Sequence, residues 1–183
     1  LKYENNRLVQ LVQDLLAVAR SDSGKIKVVL APVALAEIVQ AELKEHAMSA
    51  HKKKVELRYT EAKLPKVQAD PNKLKAIVSN LLSNAIKYNN EGGSVEVRHE
   101  IKRGRVLTIV EDTGLGMTPA NQEKLFQKFY RVKTTETQDI PGTGLGLFIV
   151  KESIERMGGK IFVTSEKGVG TTFMFSLKIV GKG

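Results

Sequence analysis

The chain has no cysteine and no tryptophan in 183 residues. Without cysteine there can be no disulfide scaffold, no thiol nucleophile and no cysteine-rich zinc site. Histidine is scarce: His46, His51 and His99 are the only three. His46 and His51 are five apart, which does not set them on one helical face, and neither has a carboxylate or histidine at metal-motif spacing. All three read as surface histidines. Long apolar runs are also missing. A stretch such as Leu15–Ala19 is far below the roughly 20 residues needed to cross a bilayer, and no signal peptide opens the chain.

What is present describes a globular protein. Hydrophobic residues make up 42% and charged residues 27%, a balance that argues against wholesale disorder. Lysine and arginine number 29 against 20 acidic residues, a net charge of +9. That excess suits nucleic acid or an anionic membrane, and equally an enzyme that holds a polyanion such as a nucleoside triphosphate. The basic run His51-Lys52-Lys53-Lys54 lacks interleaved aromatics and adjoins a strand, so it reads as a solvated loop. No nucleic-acid partner is expected.

Hydrophobic periodicity divides the chain. Leu1, Leu8, Val12, Leu15 and Ala19 form a helical seam over 1–20, and Ser21-Asp22-Ser23-Gly24 ends it as a linker. Ile26–Leu30 reads as a short strand and Pro32–Met48 as an amphipathic helix with Leu35, Ile38, Val39 and Leu43 on one side. Val55–Tyr59 and Lys66–Ala69 read as strands. Asp70-Pro71 is a strong helix start, an N-cap acceptor followed by proline at N1, and that helix runs to about Tyr88. Val95–Ile101 and Val106–Val110 alternate as a hairpin. Pro119–Phe129 reads as a short helix, Thr134–Pro141 as a polar turn-rich segment, and Leu145–Met157 as a helix stopped by Gly158-Gly159. Ile161–Ser165 and Thr171–Ile179 close the chain as strands. Strands and helices do not alternate regularly, which predicts an α+β fold with one sheet backed by helices.

Four segments carry chemistry. In the helix after Asp70, Asn80, Asn84 and Lys87 line one polar flank with Tyr88 beside them. An amide oxygen can ligate Mg²⁺, lysine can contact phosphate and tyrosine can pack on a base; a plain solvated flank has the same pattern. Glu111-Asp112-Thr113-Gly114-Leu115-Gly116 follows a strand directly. A carboxylate there can accept from the amine of a purine, and the glycines allow close approach to the backbone; an ordinary polar turn also fits, and a single Asp-Thr-Gly is weak support for an aspartic protease. Gly142-Thr143-Gly144-Leu145-Gly146-Leu147 opens a helix whose N–H groups could face a phosphate, but the spacing is not that of a dinucleotide fold and no strand precedes it. Leu125 to Arg131 contains two phenylalanines three apart, and the polar segment after it has the length of a lid.

Together, in this order and spacing, these segments resemble the catalytic and ATP-binding domain of bacterial sensor histidine kinases, a group shared with DNA gyrase, heat-shock chaperone and mismatch-repair ATPases. Asn80 to Tyr88 looks like the N box, Asp112 to Met117 the G1 box, Phe126 to Arg131 the F box and Gly142 to Leu147 the G2 box. The resemblance covers roughly 26–180 and implies a two-layer α/β sandwich, a mixed sheet with helices on one face and an ATP site under a flexible lid. It implies ATP and Mg²⁺ as cofactors, Asn84 as the metal ligand, Asn80 and Lys87 on the phosphates, Tyr88 near the adenine and Asp112 accepting its amino group. Gly114, Gly116, Met117, Phe129, Arg131, Gly142, Thr143, Gly144, Leu145 and Gly146 complete the nucleotide-binding set, and Asn80, Lys87 and Arg131 are the catalytic residues. Residues 1–20 resemble the end of the dimerisation and phosphotransfer hairpin, with 21–25 as linker, but the box carrying the acceptor histidine is missing.

The resemblance therefore implies a protein-histidine kinase core working in two-component signalling, cut from a longer sensor and not expected to phosphorylate itself alone. Its partners would be the histidine-bearing hairpin of the same or another protomer and a response regulator. The parent would be a homodimer, this piece a monomer, in the cytoplasm or tethered there by a membrane anchor of the parent. A clamp-type ATPase of the same superfold and a non-catalytic nucleotide-binding module are the alternatives. Clamp ATPases place a glutamate base where this chain has Asn80, which cannot take a proton from water.

Overall fold

The computed structural model describes residues 27–181. The seam over 1–20, the linker at 21–25 and the first residue of the strand expected at 26–30 lie outside them.

Eleven elements follow one another: β1 (Ala31–Val33), α1 (Leu35–Lys52), β2 (Glu56–Tyr59), β3 (Val67–Ala69), α2 (Pro71–Lys87), β4 (Ser94–Lys102), β5 (Arg105–Asp112), α3 (Pro119–Gln122), α4 (Gly146–Arg156), β6 (Lys160–Glu166) and β7 (Gly170–Lys178). Five strands form one sheet in the order β2-β4-β5-β7-β6. The β2–β4 pair is parallel and the other three pairs are antiparallel, so the sheet is mixed. A two-stranded antiparallel sheet, β1 with β3, stands apart, and a bridge from Val67 to Ile179 ties it to the end of the chain.

Strand alternation decides which face is covered. Val97 pairs with Val110 and Val110 with Phe173, while Val106 pairs with Leu177 and Thr108 with Phe175. Side chains on paired residues share a face, so these form one apolar surface, and all are buried. Helices α1, α2 and α4 pack over it. From α2, Leu74, Ile77, Val78, Leu81, Leu82 and Ala85 enter the core, and Val150 and Ile154 enter it from α4. Each such side chain contributes about 1.5–3 kcal/mol of burial, and the three-to-four spacing gives α2 its orientation. The other face of the sheet is mainly polar, with Glu96, Arg98 and Glu111 in its grid; Arg98 and Glu111 pair at 2.6 Å.

The α+β architecture agrees with the sequence pattern, but three local expectations do not hold. Residues 27–30 are irregular and the strand lies at Ala31–Val33, because pairing with β3 fixes its position. Helix α1 accordingly starts at Leu35 rather than Pro32 and runs on to Lys52. The helix expected over 119–129 is regular only at Pro119–Gln122, and turns carry the chain through Phe129. Among the described residues no helix is long and apolar enough to cross a membrane.

Candidate functional site

The start of α2 is set locally. The Asp70 carboxylate accepts from the backbone N–H of Asn72 at 3.0 Å and of Lys73 at 3.1 Å, and Pro71 fills the first helical position. With the apolar residues turned to the core, the opposite edge of the helix presents Ala76, Ser79, Asn80, Ser83, Asn84 and Lys87 to a cavity of about 520 Å³. Asn84 donates through Nδ2 to Asn80 Oδ1 at 3.0 Å, which leaves the Asn84 Oδ1 available to a ligand.

Asp112, the last residue of β5, forms the inner end of this cavity. Its Oδ1 accepts from the N–H of Gly114 at 2.9 Å. Burial pushes its carboxyl up to about 6, with the Glu111 charge adding to the rise and the backbone N–H groups of Gly114 and Thr171 opposing it. The loop that follows is tied to the end of α2, since the Leu115 N–H donates to the Tyr88 carbonyl at 3.0 Å. Gly116 sits at φ +61°, and a Cβ there would run into the Glu166 carbonyl. Glycine lets this loop lie flat against the β6–β7 turn.

The third wall is the segment between Tyr130 and Gly146. Arg131 donates to the carbonyl of Gly142 at 3.1 Å and to that of Ile140. Lys87 reaches across the cavity to the carbonyl of Pro141. Thr137, buried within the segment, donates to the Val132 carbonyl at 2.7 Å and accepts from the Thr134 N–H. Tyr88 lies under this wall; burial raises its phenol pKa, partly offset by the neighbouring Arg131.

Of the residues singled out from sequence, Asn80, Asn84, Lys87, Tyr88, Asp112, Gly116, Met117, Arg131, Gly142, Thr143, Gly144 and Gly146 are brought together around one cavity. Gly114, Phe129 and Leu145 are not on it. Gly114 is packed under the Tyr88 carbonyl, where a side chain would not fit. Phe129 is 60% exposed at φ +62°, and its backbone runs so close to Gly144 that a Cβ there would not fit. Leu145 is 1% exposed and turns into the interior.

Two histidines correct the surface assignment. The His99 ring touches Thr108 Oγ1 at 3.2 Å and Tyr59 OH at 3.4 Å, and burial pulls its pKa down to about 4. His46 forms part of the cavity wall, its Nε2 2.9 Å from Ser79 Oγ. The signal for His46 was in the sequence. Leu35, Val39, Glu42, His46 and Ala50 continue one helical stripe at steps of four, three, four and four, and its polar members interrupt an otherwise apolar face.

Among the described residues no group of three or more His, Asp or Glu could hold a metal. The Asn84 amide oxygen, on the cavity and turned away from the bond to Asn80, would suit Mg²⁺ as one hard ligand, since Mg²⁺ ordinarily takes its remaining ligands from phosphates and water.

A mixed sheet backed by helices, with a cavity between one helix and two glycine-rich loops that carries the cations Lys87 and Arg131, defines an α+β domain with one built ligand site among the described residues. Comparison with known proteins narrows this. Residues 69–181 match the model of the histidine kinase-, DNA gyrase B- and HSP90-like ATPase family, and the chain belongs to that family. It is 34% identical over 97% of its length to Drug sensory protein A of Synechocystis sp., and 32% identical over 95% to Sensor histidine kinase WalK of Bacillus subtilis. It spans 28% and 29% of the length of those two relatives. The solved structure of full-length ShkA in complex with AMPPNP superposes with a TM-score of 0.83 at 30% identity, over 97% of this chain and 37% of that one. The domain is thus an ATP-binding domain of the sensor-histidine-kinase type.

Proposed function

We propose that the chain is the ATP-binding kinase core of a two-component sensor, transferring the γ-phosphoryl group of ATP to a histidine on a dimerisation hairpin. The observation that carries this reading is the strip of Asn80, Asn84 and Lys87, which faces Arg131 and the Ile140–Gly142 carbonyls across the cavity with Asp112 at its inner end. On this reading Asp112 accepts the adenine amine and Tyr88 packs on the base. Lys87 and Arg131 neutralise the phosphates, Asn80 hydrogen-bonds to them, and Asn84 holds Mg²⁺. Bound Mg²⁺ would spread the charge of the transferring phosphoryl group. In the transfer the acceptor imidazole nitrogen bonds to the γ-phosphorus while the bond to the bridging oxygen breaks and ADP leaves. Positioning and charge neutralisation are most of what such catalysis needs.

Residues 26–180 form the catalytic domain on this reading, 21–25 the linker and 1–20 the end of the hairpin. The whole parent works as a dimer, this segment stays monomeric, and a response regulator takes the phosphoryl group onward. The experiment is radiolabelled ATP with the chain alone, with an added hairpin that carries its acceptor histidine, and with Asn84→Ala. Label is expected on the added hairpin only, is acid-labile, and is lost with Asn84→Ala. Label on the chain alone would make one of its own three histidines an acceptor. ATP binding without transfer to a cognate hairpin would leave a nucleotide-binding module.

A further inference from the structure

The cavity does not end at Asn80. Its wall continues one more turn along α2, through Ala76 and Ser79, and His46 of α1 closes it. The His46 Nε2 lies 2.9 Å from Ser79 Oγ and 3.8 Å from Glu42 Oε2, one turn earlier on the same helix. Glu42 is 0% exposed, and neither of its oxygens has a hydrogen-bond partner. Lys75 of α2 lies 3.6 Å from its other oxygen; that lysine is mostly exposed and also reaches Glu45 at 3.3 Å. A buried carboxylate without donors is costly. Packing α1 on α2 would be served by an apolar side chain on this stripe, so packing does not account for Glu42 and His46.

The order of residues along α2 says what would meet this cluster. Lys87, Asn84 and Asn80 lead away from Asp112, one turn after another, toward Ser79. A nucleotide with its base at Asp112 and its inner phosphates at Lys87 and Asn84 would direct its terminal phosphate past Asn80 toward His46. We infer that His46 recognises the terminal phosphate of a nucleoside triphosphate and takes up a proton as it does so, an inference that rests on the ATP reading above.

The reason is electrostatic. The groups facing His46 are Glu42 on its own helix, with Glu45 behind Lys75, then Lys75 and Ser79 on α2, and Lys87 and Arg131 on the cavity wall. With a neutral imidazole, the Glu42 charge repels an incoming phosphate. With an imidazolium between them, both anions are paired, and each favours the proton. A diphosphate ends one phosphate short and leaves the cluster as it was. His46 would therefore make the cavity prefer a triphosphate to a diphosphate.

The test is titration calorimetry of the chain with ATP or ADP, each with Mg²⁺, at pH 7.5 in buffers of low and high ionisation enthalpy. At that pH Asp112, with its carboxyl at about 6, is already ionised and exchanges little proton. Wild type should take up protons with ATP and not with ADP. His46→Gln should lose that uptake and bind ATP about tenfold to a hundredfold more weakly, the worth of one hydrogen bond to a charged group, with ADP binding unchanged. His46→Lys, a permanent cation, should restore the preference for ATP without buffer dependence. Buffer-independent ATP binding by wild type would overturn the inference whatever the variants do. So would an equal loss of ATP and ADP binding in His46→Gln, which would mark a structural role. Binding of neither nucleotide by wild type would overturn the ATP reading itself and this inference with it.

Discussion

The Lys87 ammonium, on the last turn of α2, donates to the main-chain carbonyl of Pro141, 54 residues further along the chain. Arg131 holds the carbonyls on either side, Ile140 and Gly142. Three successive lid carbonyls thus occupy two cations that the proposed mechanism assigns to phosphate. A triphosphate offers the same cations charged oxygens, which make the stronger bonds, so nucleotide and lid backbone compete for Lys87 and Arg131.

Lys87→Met should therefore loosen the lid in the nucleotide-free protein. Amide exchange over 132–141 should be faster in the variant than in wild type, with 146–156 unchanged; in wild type the lid should already exchange faster than 146–156. Identical exchange over 132–141 in the two proteins would show that the Lys87 contact does not restrain it.

Asp112 should select adenine. Guanine presents an acceptor where adenine has its amine, and losing a hydrogen bond to a charged group costs about 1.5–3 kcal/mol. ATP should bind about 10- to 100-fold more tightly than GTP, and Asp112→Asn should narrow the gap. Because the ionised carboxylate is the stronger acceptor and its folded pKa is about 6, this preference should weaken as pH falls through 6. Equal affinities for ATP, GTP and the Asp112→Asn variant would remove the adenine assignment.

His99 predicts an acid sensitivity of the fold. Its pKa is about 4 in the folded chain against 6.5 unfolded. Below 6.5 the unfolded chain takes a proton that the fold refuses, so stability is present above that pH and drains away as pH falls toward 4. His99→Gln, which keeps a polar partner for Thr108, should lose about 2–3 kcal/mol less than wild type between pH 7 and 4. Urea unfolding at both pH values measures the difference, and parallel losses would refute it. Asp112 acts in the opposite sense: its raised pKa makes the fold bind a proton more tightly than the unfolded chain, so it adds stability as pH falls through 6.

Two glycines at positive φ separate backbone strain from steric conflict. Gly92 (φ +80°) has open space around it, whereas a Cβ on Gly116 (φ +61°) would enter the Glu166 carbonyl. Gly92→Ala should cost about 1 kcal/mol, and Gly116→Ala distinctly more, about 3 kcal/mol or above, since the β6–β7 turn must move as well. Chemical denaturation of both variants checks this; equal losses would mean that the turn gives way freely.

Sequence and structure agree where the physics is local. Asp70-Pro71 starts a helix with groups within three residues of each other, and the resulting register already separates Leu74, Ile77 and Leu81 from Asn80, Asn84 and Lys87. The hairpin of β4 and β5 and the helix stop at Gly158 were legible for the same reason. Over Pro119–Phe129 a proline after Thr118 and the apolar residues Leu125 and Phe126 mimic a helix that is regular only to Gln122. In the fold Phe126 is held instead by an edge contact with Phe173, ring centroids 6.5 Å apart, and turns bring it there.

The sequence alone determined the fold class, the motif order and the α2 register, because short-range capping and the 3.6-residue period require no distant partner. The tertiary structure alone decided where β1 begins, that Phe129 and Leu145 turn away from the cavity, and that His99 is held neutral. It also brought Glu42 and His46 of α1 against Lys75 and Ser79 of α2, more than thirty residues later. Burial, and with it the charge state of a buried group, is a property of what lies across the interface, and no local pattern records that.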